Sequence, residues 1–144
     1  MWRMPSWEEE VAEFLRVEAD LGIPLDSLRG LYKRSAVRLL ETRVWSRLQN
    51  SDSRDMFPGE HRRARDIAIQ RGRDIDRVLD AFRNGGVLPM PVVLLRHDGS
   101  PYLIGGNTRL MACRVEGRAA PMLAFDSRPG PCLRPVPAKL RAVG

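Results

Sequence analysis

The stretch PYLIGGNTRLMACRVEGRAAPMLAF, residues 101–125, decides how this chain folds. An apolar run leads into GGNTR at residues 105–109, a helix-like pattern continues to Gly117, and a second apolar run completes the stretch. The pattern predicts three elements, which are a strand at 101–104, a helix at 107–116 and a strand at 121–125. Two glycines and an arginine at a strand-to-helix junction raise the question of what they bind.

The residues just before this stretch predict its pairing partner. VLPMPVVLL, residues 87–95, is apolar, and HDGS at 97–100 separates it from the next apolar run. An Asp-Gly pair between two apolar runs favours a tight hairpin. We therefore expect a strand at 91–95 to pair with the strand at 101–104.

The first third of the chain has helical periodicity. Ser6 and Glu9 match a capping box, and Gly22 ends the helix that they open. The apolar residues assigned to one face of that helix are Val11, Phe14, Leu15 and Leu21. Asp26 is then placed as the N-cap of a long helix that ends near Asn50. Its predicted apolar face consists of Leu28, Leu31, Tyr32, Leu39, Leu40, Val44 and Leu48.

A loop and two short helices are predicted between these parts. NSDSRDMFPGE, residues 50–60, has the composition of a loop. Residues 60–74 are highly charged and carry a thin apolar stripe, which predicts a short exposed helix. Asp74 is placed as the N-cap of a following helix, which a Gly-Gly pair ends.

Together these elements predict a single α+β domain over residues 1–144. We expect helices within residues 1–50, a core with a small mixed sheet at 74–125 and a basic, proline-rich tail at 127–144. The part of the chain that contains the predicted strands spans about 40 residues, too few to bury a core alone. They therefore need the apolar faces of the N-terminal helices.

Charge and composition narrow the partners and the compartment. The net charge of +6 and the pI of about 10.3 favour anionic partners such as nucleotides or nucleic acid. No run approaches the roughly 18 apolar residues of a membrane span, and the N-terminus lacks the apolar region of a signal peptide. Cys113 and Cys132 form no CxxC pair, which favours the reducing cytoplasm. We expect Cys113 to be a small buried side chain.

The chemistry of GGNTR suits an anion. The first N–H groups of a helix are unpaired and carry a partial positive charge, and glycine lets an anion approach them closely. Asn107 or Thr108 is expected to cap the helix, and Arg109 to reach the same anion. The sequence thus predicts a phosphate-binding loop made of Gly105, Gly106, Asn107, Thr108 and Arg109. The alternative is an ordinary strand-to-helix turn.

This region resembles the core of the ParB/sulfiredoxin superfamily, over about residues 74–125. Sulfiredoxins carry Gly-Gly-Cys-His-Arg where this chain has Gly-Gly-Asn-Thr-Arg at 105–109. The resemblance implies an α+β fold with a small mixed sheet, in which this loop holds nucleotide phosphates. Asn107 stands where the sulfiredoxin cysteine would be, so thiol chemistry is not expected here.

The resemblance further implies binding of ATP or another nucleotide with Mg²⁺, and hydrolysis or transfer of the terminal phosphoryl group. Such chemistry needs a carboxylate that takes a proton or holds the metal ion. The loop before residue 61 offers Asp52, Asp55 and Glu60 as catalytic candidates. The alternative for Asp52 or Asp55 is a helix-terminating loop in which one of them caps the next element, and the alternative for Glu60 is a solvated charged face.

Two other functions stay open at this stage. The first is DNA binding or nuclease activity of a ParB-like kind, through the basic run that includes Arg62 and Arg63 and through Arg128 and Arg134 near the C-terminus. The second is a non-enzymatic regulator that binds a protein through its N-terminal helices. With two histidines and no paired cysteines, no structural zinc site is expected.

Overall fold

The chain folds as a small mixed sheet with helices on both faces, in a computed structural model that describes residues 1–128. The helices in this part of the chain are α1 (Trp7–Leu21), α2 (Leu25–Lys33), α3 (Thr42–Trp45), α4 (His61–Gln70), α5 (Ile75–Asn84) and α6 (Asn107–Val115). The strands are β1 (Trp2–Arg3), β2 (Ala36–Leu39), β3 (Leu88–Pro89), β4 (Val92–Leu95), β5 (Pro101–Gly105) and β6 (Pro121–Asp126). A single 3₁₀ turn among these residues covers Asp52–Asp55.

The main sheet has the strand order β2-β6-β4-β5. Strands β4 and β6 run parallel, and the other two pairs are antiparallel. A separate parallel pair joins β1 to β3, with Trp2 opposite Leu88. The described chain is therefore of the α+β class, as the sequence predicts.

Both faces of the sheet are buried at β4, so this strand is a continuous apolar run. Val92 and Leu94 face helices α1 and α2, where Phe14 packs between Trp7 and Phe125. The opposite face packs against α3 and α6, with Trp45 and Leu110 among the buried side chains. Helices α4 and α5 form an outer layer over α6.

The predicted elements of the C-terminal half are confirmed. Hairpin β4–β5, helix α6 and strand β6 lie within a residue or two of their predicted bounds. The Asp74 side chain accepts a hydrogen bond from the Arg77 N–H, as expected of an N-cap. Cys113 is fully buried, and burial raises the pKa of its thiol to about 12. Cys132 and the tail from residue 129 lie outside the described residues.

The capping box at Ser6 and Glu9 and the helix end at Gly22 are also confirmed. The predicted apolar face of α1 is wrong in part, because Leu15 is exposed. The buried residues of this helix are Trp7, Glu10, Phe14 and Val17. A carboxylate therefore occupies one position on the core-facing side of α1.

The predicted long helix from Asp26 to Asn50 is wrong. Helix α2 already begins at Leu25, with Pro24 rather than Asp26 as its N-cap. After α2 the chain turns into β2, which pairs with β6 with Ala36 opposite Ala124. Hydrogen bonds to a neighbouring strand replace the helical ones here, so tertiary pairing overrides the local periodicity. Residues 1–50 are thus not purely helical.

No helix among residues 1–128 is long and apolar enough to cross a bilayer.

Candidate functional site

The GGNTR turn lies at the floor of a cleft of about 1050 Å³. One wall of the cleft is α1, and the other is formed by the 3₁₀ turn at residues 52–55 and the end of α4. Strand β5 and the start of α6 lie between these walls. All five residues of the predicted phosphate loop line the cleft.

Both glycines have packing reasons to be glycine. Gly106 has φ of +109°, and a Cβ there would stand 2.9 Å from the Pro91 Cα. Gly105 has no positive φ, but a Cβ there would stand 2.6 Å from Oε1 of Glu10. The local structure therefore requires glycine at position 106 whether or not an anion binds, whereas a side chain at position 105 would displace the Glu10 carboxylate.

No side chain caps α6, so the prediction that Asn107 or Thr108 caps this helix is wrong. Gly106 is the N-cap residue, and its carbonyl accepts the hydrogen bond from the Leu110 N–H. Among the described residues, no hydrogen-bond acceptor meets the N–H groups of the first turn. The positive end of the helix therefore faces the cleft without a cap.

Asn107 instead ties the floor to the wall that carries Asp52. Its Oδ1 accepts hydrogen bonds from the Asp52 N–H at 3.0 Å and the Ser51 hydroxyl at 3.2 Å. Its Nδ2 donates to Oδ2 of Asp52 at 2.7 Å. Asn50 fixes the same loop to the sheet edge through two hydrogen bonds with the Leu103 backbone. These contacts bring residues 50–52 against β5 and α6.

Asp52 therefore lies in the cleft, beside the GGNTR turn. Arg71 donates to both of its oxygens, at 2.6 and 2.9 Å, in addition to the bond from Asn107. The hydrogen bonds from Arg71 lower the pKa of Asp52, so this carboxylate is ionised at neutral pH. Its oxygens are occupied by protein donors, which suits a positioning role.

Asp55 and Glu60 lie outside this cleft. Glu60 accepts a hydrogen bond from the Phe57 N–H at 2.8 Å and pairs with Arg63 at 3.2 Å. Asp55 lines a smaller polar cavity of about 290 Å³ on the outer side of the Asp52 loop. Of the three predicted catalytic carboxylates, the fold thus brings one to the predicted phosphate loop.

Arg109 is more constrained than the sequence suggests. Its side chain is 16% exposed, and Nη1 donates to the Pro89 carbonyl oxygen. Its Nη2 stands 3.9 Å from Oε2 of Glu10. Burial lowers the pKa of this guanidinium, and the charge of Glu10 opposes that shift. Arg109 lies at the cleft floor, and that it reaches an anion at the start of α6 stays a prediction.

Glu10 is the functional candidate that sequence reasoning missed. Only 6% of this residue is exposed, and it borders the cleft beside Gly105. Burial raises the pKa of its carboxyl group, and the nearby Arg109 charge opposes the rise. Its position in the series Trp7, Glu10, Phe14 and Val17 was the available signal, because a charged residue there interrupts an otherwise apolar helix face.

Exposed arginines stand at the rim of the cleft and on the outer layer. Arg73 and Arg77 line the rim, and within residues 1–128 no acidic side chain pairs with either. Arg62 on α4 is also exposed and outside the cleft. Of the predicted nucleic-acid contacts, Arg63 bonds to Glu60 and Arg128 to Asp126, while Arg134 lies outside the described residues.

Comparison of the chain with family models, with curated proteins and with solved structures finds no match in any of the three. The residues of the cleft are therefore the basis for any functional conclusion.

Proposed function

We propose that this protein binds a nucleotide through its phosphates at the N-terminus of α6 and hydrolyses or transfers the terminal phosphoryl group. The main support for this proposal is that α6 begins without a side-chain cap at the floor of a large cleft, next to Arg109. Phosphates favour such helix ends because free N–H groups and the helix dipole act together. Phosphoryl transfer depends mostly on such positioning and charge neutralisation.

The rim arginines support this proposal. Arg73 and Arg77 are exposed at the cleft and free of ion pairs among residues 1–128, so they are available to phosphate oxygens. The Mg²⁺ that accompanies a nucleotide is held largely by phosphates and water, with one or two carboxylates. Residues 1–128 hold no cluster of three or more metal-ligating side chains, so they offer no cage that would bind the ion alone.

We also propose a ParB/sulfiredoxin-like core for residues 74–125. In support, α5, the β4–β5 hairpin, the glycine turn, α6 and β6 follow one another in the order that the resemblance implies. Strand β5, which leads into the glycine turn, pairs antiparallel with β4, with Gly105 opposite Val92.

The test is calorimetric titration of ATP with Mg²⁺, together with an assay of phosphate release. We expect binding below 1 mM, and a several-fold weaker affinity in an Arg73→Gln/Arg77→Gln variant, at about 0.3 to 1 kcal/mol for each exposed charge. Arg62→Gln is the matched control, because it removes an exposed, unpaired arginine away from the cleft. If the wild type binds no nucleotide at millimolar concentration, the proposal fails.

A nucleic-acid backbone is the second candidate, since it presents the same phosphate chemistry. The specific observation in its favour is that Arg62 joins Arg73 and Arg77 as exposed arginines without ion pairs in the described part of the chain. For this function, Arg62→Gln should weaken DNA binding and reduce the slope of log affinity against log salt by about 1. The same variant should leave ATP binding unchanged, which separates the two candidates.

A further inference from the structure

Glu10 is the least satisfied charged group of the cleft. Its side chain is 8% exposed, yet neither oxygen accepts a hydrogen bond from any residue in 1–128. The nearest cation is Nη2 of Arg109, at 3.9 Å from Oε2, which is beyond hydrogen-bond distance. A buried carboxylate in this state costs stability, and such groups are normally satisfied by donors.

The other charged groups around Glu10 are already engaged. On α1, Glu9 receives two hydrogen bonds from Arg3 of β1, at 2.6 and 2.9 Å. Glu13, one turn further along, pairs with Arg16. On α6, Arg109 is anchored to a backbone carbonyl. The cations that face this region thus leave the hydrogen-bonding capacity of Glu10 unused.

The position of Glu10 relates it directly to the proposed phosphate site. Oε1 occupies the space that a side chain on Gly105 would fill, at 2.6 Å from the ideal Cβ position. The next residue, Gly106, is the N-cap of α6. A ligand whose phosphate lies at the start of α6 therefore has its adjoining atoms next to a carboxyl group whose oxygens accept no hydrogen bond from residues 1–128.

These neighbours restrict the chemistry of the ligand. Phosphate alone would meet the like charge of Glu10. A hydroxyl or ammonium group beside the phosphate would donate to Glu10 and relieve the unsatisfied acceptor. We infer that Glu10 accepts a hydrogen bond from the ligand itself, so that the cleft selects phosphate compounds with a hydroxyl or ammonium group next to the phosphate. This inference rests on the proposed phosphate site.

Two pairs of probes test it by calorimetry without added metal. ATP and inorganic triphosphate share a phosphate chain, but only ATP carries sugar hydroxyls. Phosphoethanolamine and ethyl phosphate share a monoester, but only the first has an ammonium group. We expect at least fivefold tighter binding of the donor-bearing member in one pair, and which pair shows it identifies the donor as hydroxyl or ammonium.

The preference must depend on Glu10. Glu10→Leu should abolish the preference for the donor-bearing probe. Gly105→Ala should do the same, because its side chain displaces the Glu10 carboxylate. Two independent variants keep the test valid if one of them does not fold. Glu8→Gln is the matched control, because it removes an exposed carboxylate two residues away on the same helix and outside the cleft. This control should keep the preference.

The outcomes separate the two proposals. If the wild type binds none of the four probes at millimolar concentration, either without metal or with added Mg²⁺, the phosphate site itself is refuted, and this inference with it. If the probes bind but the preference is the same in Glu10→Leu, only the role of Glu10 is refuted, and a water bridge to Arg109 explains the 3.9 Å gap. A Glu10-dependent preference that appears only when Mg²⁺ is added would assign the carboxylate to the metal instead, and would also overturn the inference.

Discussion

The two walls of the cleft each present a buried or half-buried carboxylate, in opposite states. Asp52 accepts three hydrogen bonds from Arg71 and Asn107, and these bonds lower its pKa. Glu10 accepts none among the described residues, and burial raises its pKa. Asn107 and Arg109, two residues apart in GGNTR, reach to opposite walls. The hydrogen-bonded Asp52 thus fixes the geometry of its wall, whereas Glu10 keeps both oxygens free to accept hydrogen bonds from a ligand.

Arg109→Met should have the largest effect, because it leaves Glu10 as a buried charge without a nearby cation and removes the donor to the Pro89 carbonyl. Breaking a buried pair in this way costs about 3 kcal/mol or more in the free energy of unfolding. Urea denaturation at pH 7 measures it. The double variant Arg109→Met/Glu10→Gln should be more stable than the sum of the two single effects by at least about 1 kcal/mol, because neither buried charge is then left without its partner. Simple addition of the two single effects would contradict the coupling.

Gly106→Ala should cause the second largest loss of stability, because it disturbs the glycine turn that lies between the two walls of the cleft. A side chain at φ of +109° and 2.9 Å from the Pro91 backbone is strained and forces a shift, at a cost of about 2 kcal/mol. Gly22→Ala is the control, because its φ is also positive at +71° but the space beside it is open. Thermal unfolding of both should show the larger loss at Gly106, and equal losses would argue against a tight floor.

Glu10→Gln should stabilise the protein by about 1 kcal/mol at pH 7, because burial penalises the Glu10 charge more than Arg109 offsets it, and because Arg109 keeps its hydrogen bond to the Pro89 carbonyl. The folded-state pKa of Glu10 lies above its ordinary value of 4.5, so the penalty is full above the folded pKa and absent below about 4.5. The advantage of the variant should therefore shrink as the pH falls from 7 towards 4.5. A constant advantage across this window, measured by urea denaturation, would contradict the assignment.

Asp52→Asn should have the smallest effect, and it should destabilise the protein, in contrast to Glu10→Gln. It weakens two charge-assisted hydrogen bonds, and because Arg71 is more than half exposed the loss should be about 1 kcal/mol at pH 7. The pKa of Asp52 is lowered below 3.8, so its stabilisation is present above 3.8 and is lost as the pH falls through the folded pKa. The difference from wild type should close only in strong acid, and closure near neutrality would refute the ion pair.

The half of the fold that was predictable carries local signals that agree with the tertiary structure. The Asp-Gly turn, the Gly-Gly junction and the apolar run of β4 each permit few conformations, and the strands that they delimit pair within about 40 residues of one another. The segment after α2 has no such signal. Leu39 and Leu40 fit helical spacing, but they belong to β2 and its exit, and the partner strand lies more than 80 residues further on. Long-range pairing of an exposed strand leaves little trace in local periodicity.

The candidate site was predictable for its floor and only in part for its walls. GGNTR and Asp52 could be identified because loops with glycine, asparagine and aspartate stand out from helices. Glu10 was harder to identify, since it stands in the run of three glutamates at residues 8–10, and only its spacing from Trp7, Phe14 and Val17 distinguishes it from its exposed neighbours. The packing of α1 against β5 is what makes that spacing decisive. The role of Asn107 was likewise set by a loop more than 50 residues away.

The serine pair behind the cleft connects an indole ring to the start of α6. Trp45 Nε1 donates to the Ser53 hydroxyl at 2.8 Å, that hydroxyl lies 2.6 Å from the Ser51 hydroxyl, and Ser51 donates to Asn107. Indole emission depends on the polarity and hydrogen bonding of this nitrogen. In a background with Trp2 and Trp7 replaced by phenylalanine, the fluorescence of Trp45 therefore reports on the state of Asn107 without a label in the cleft.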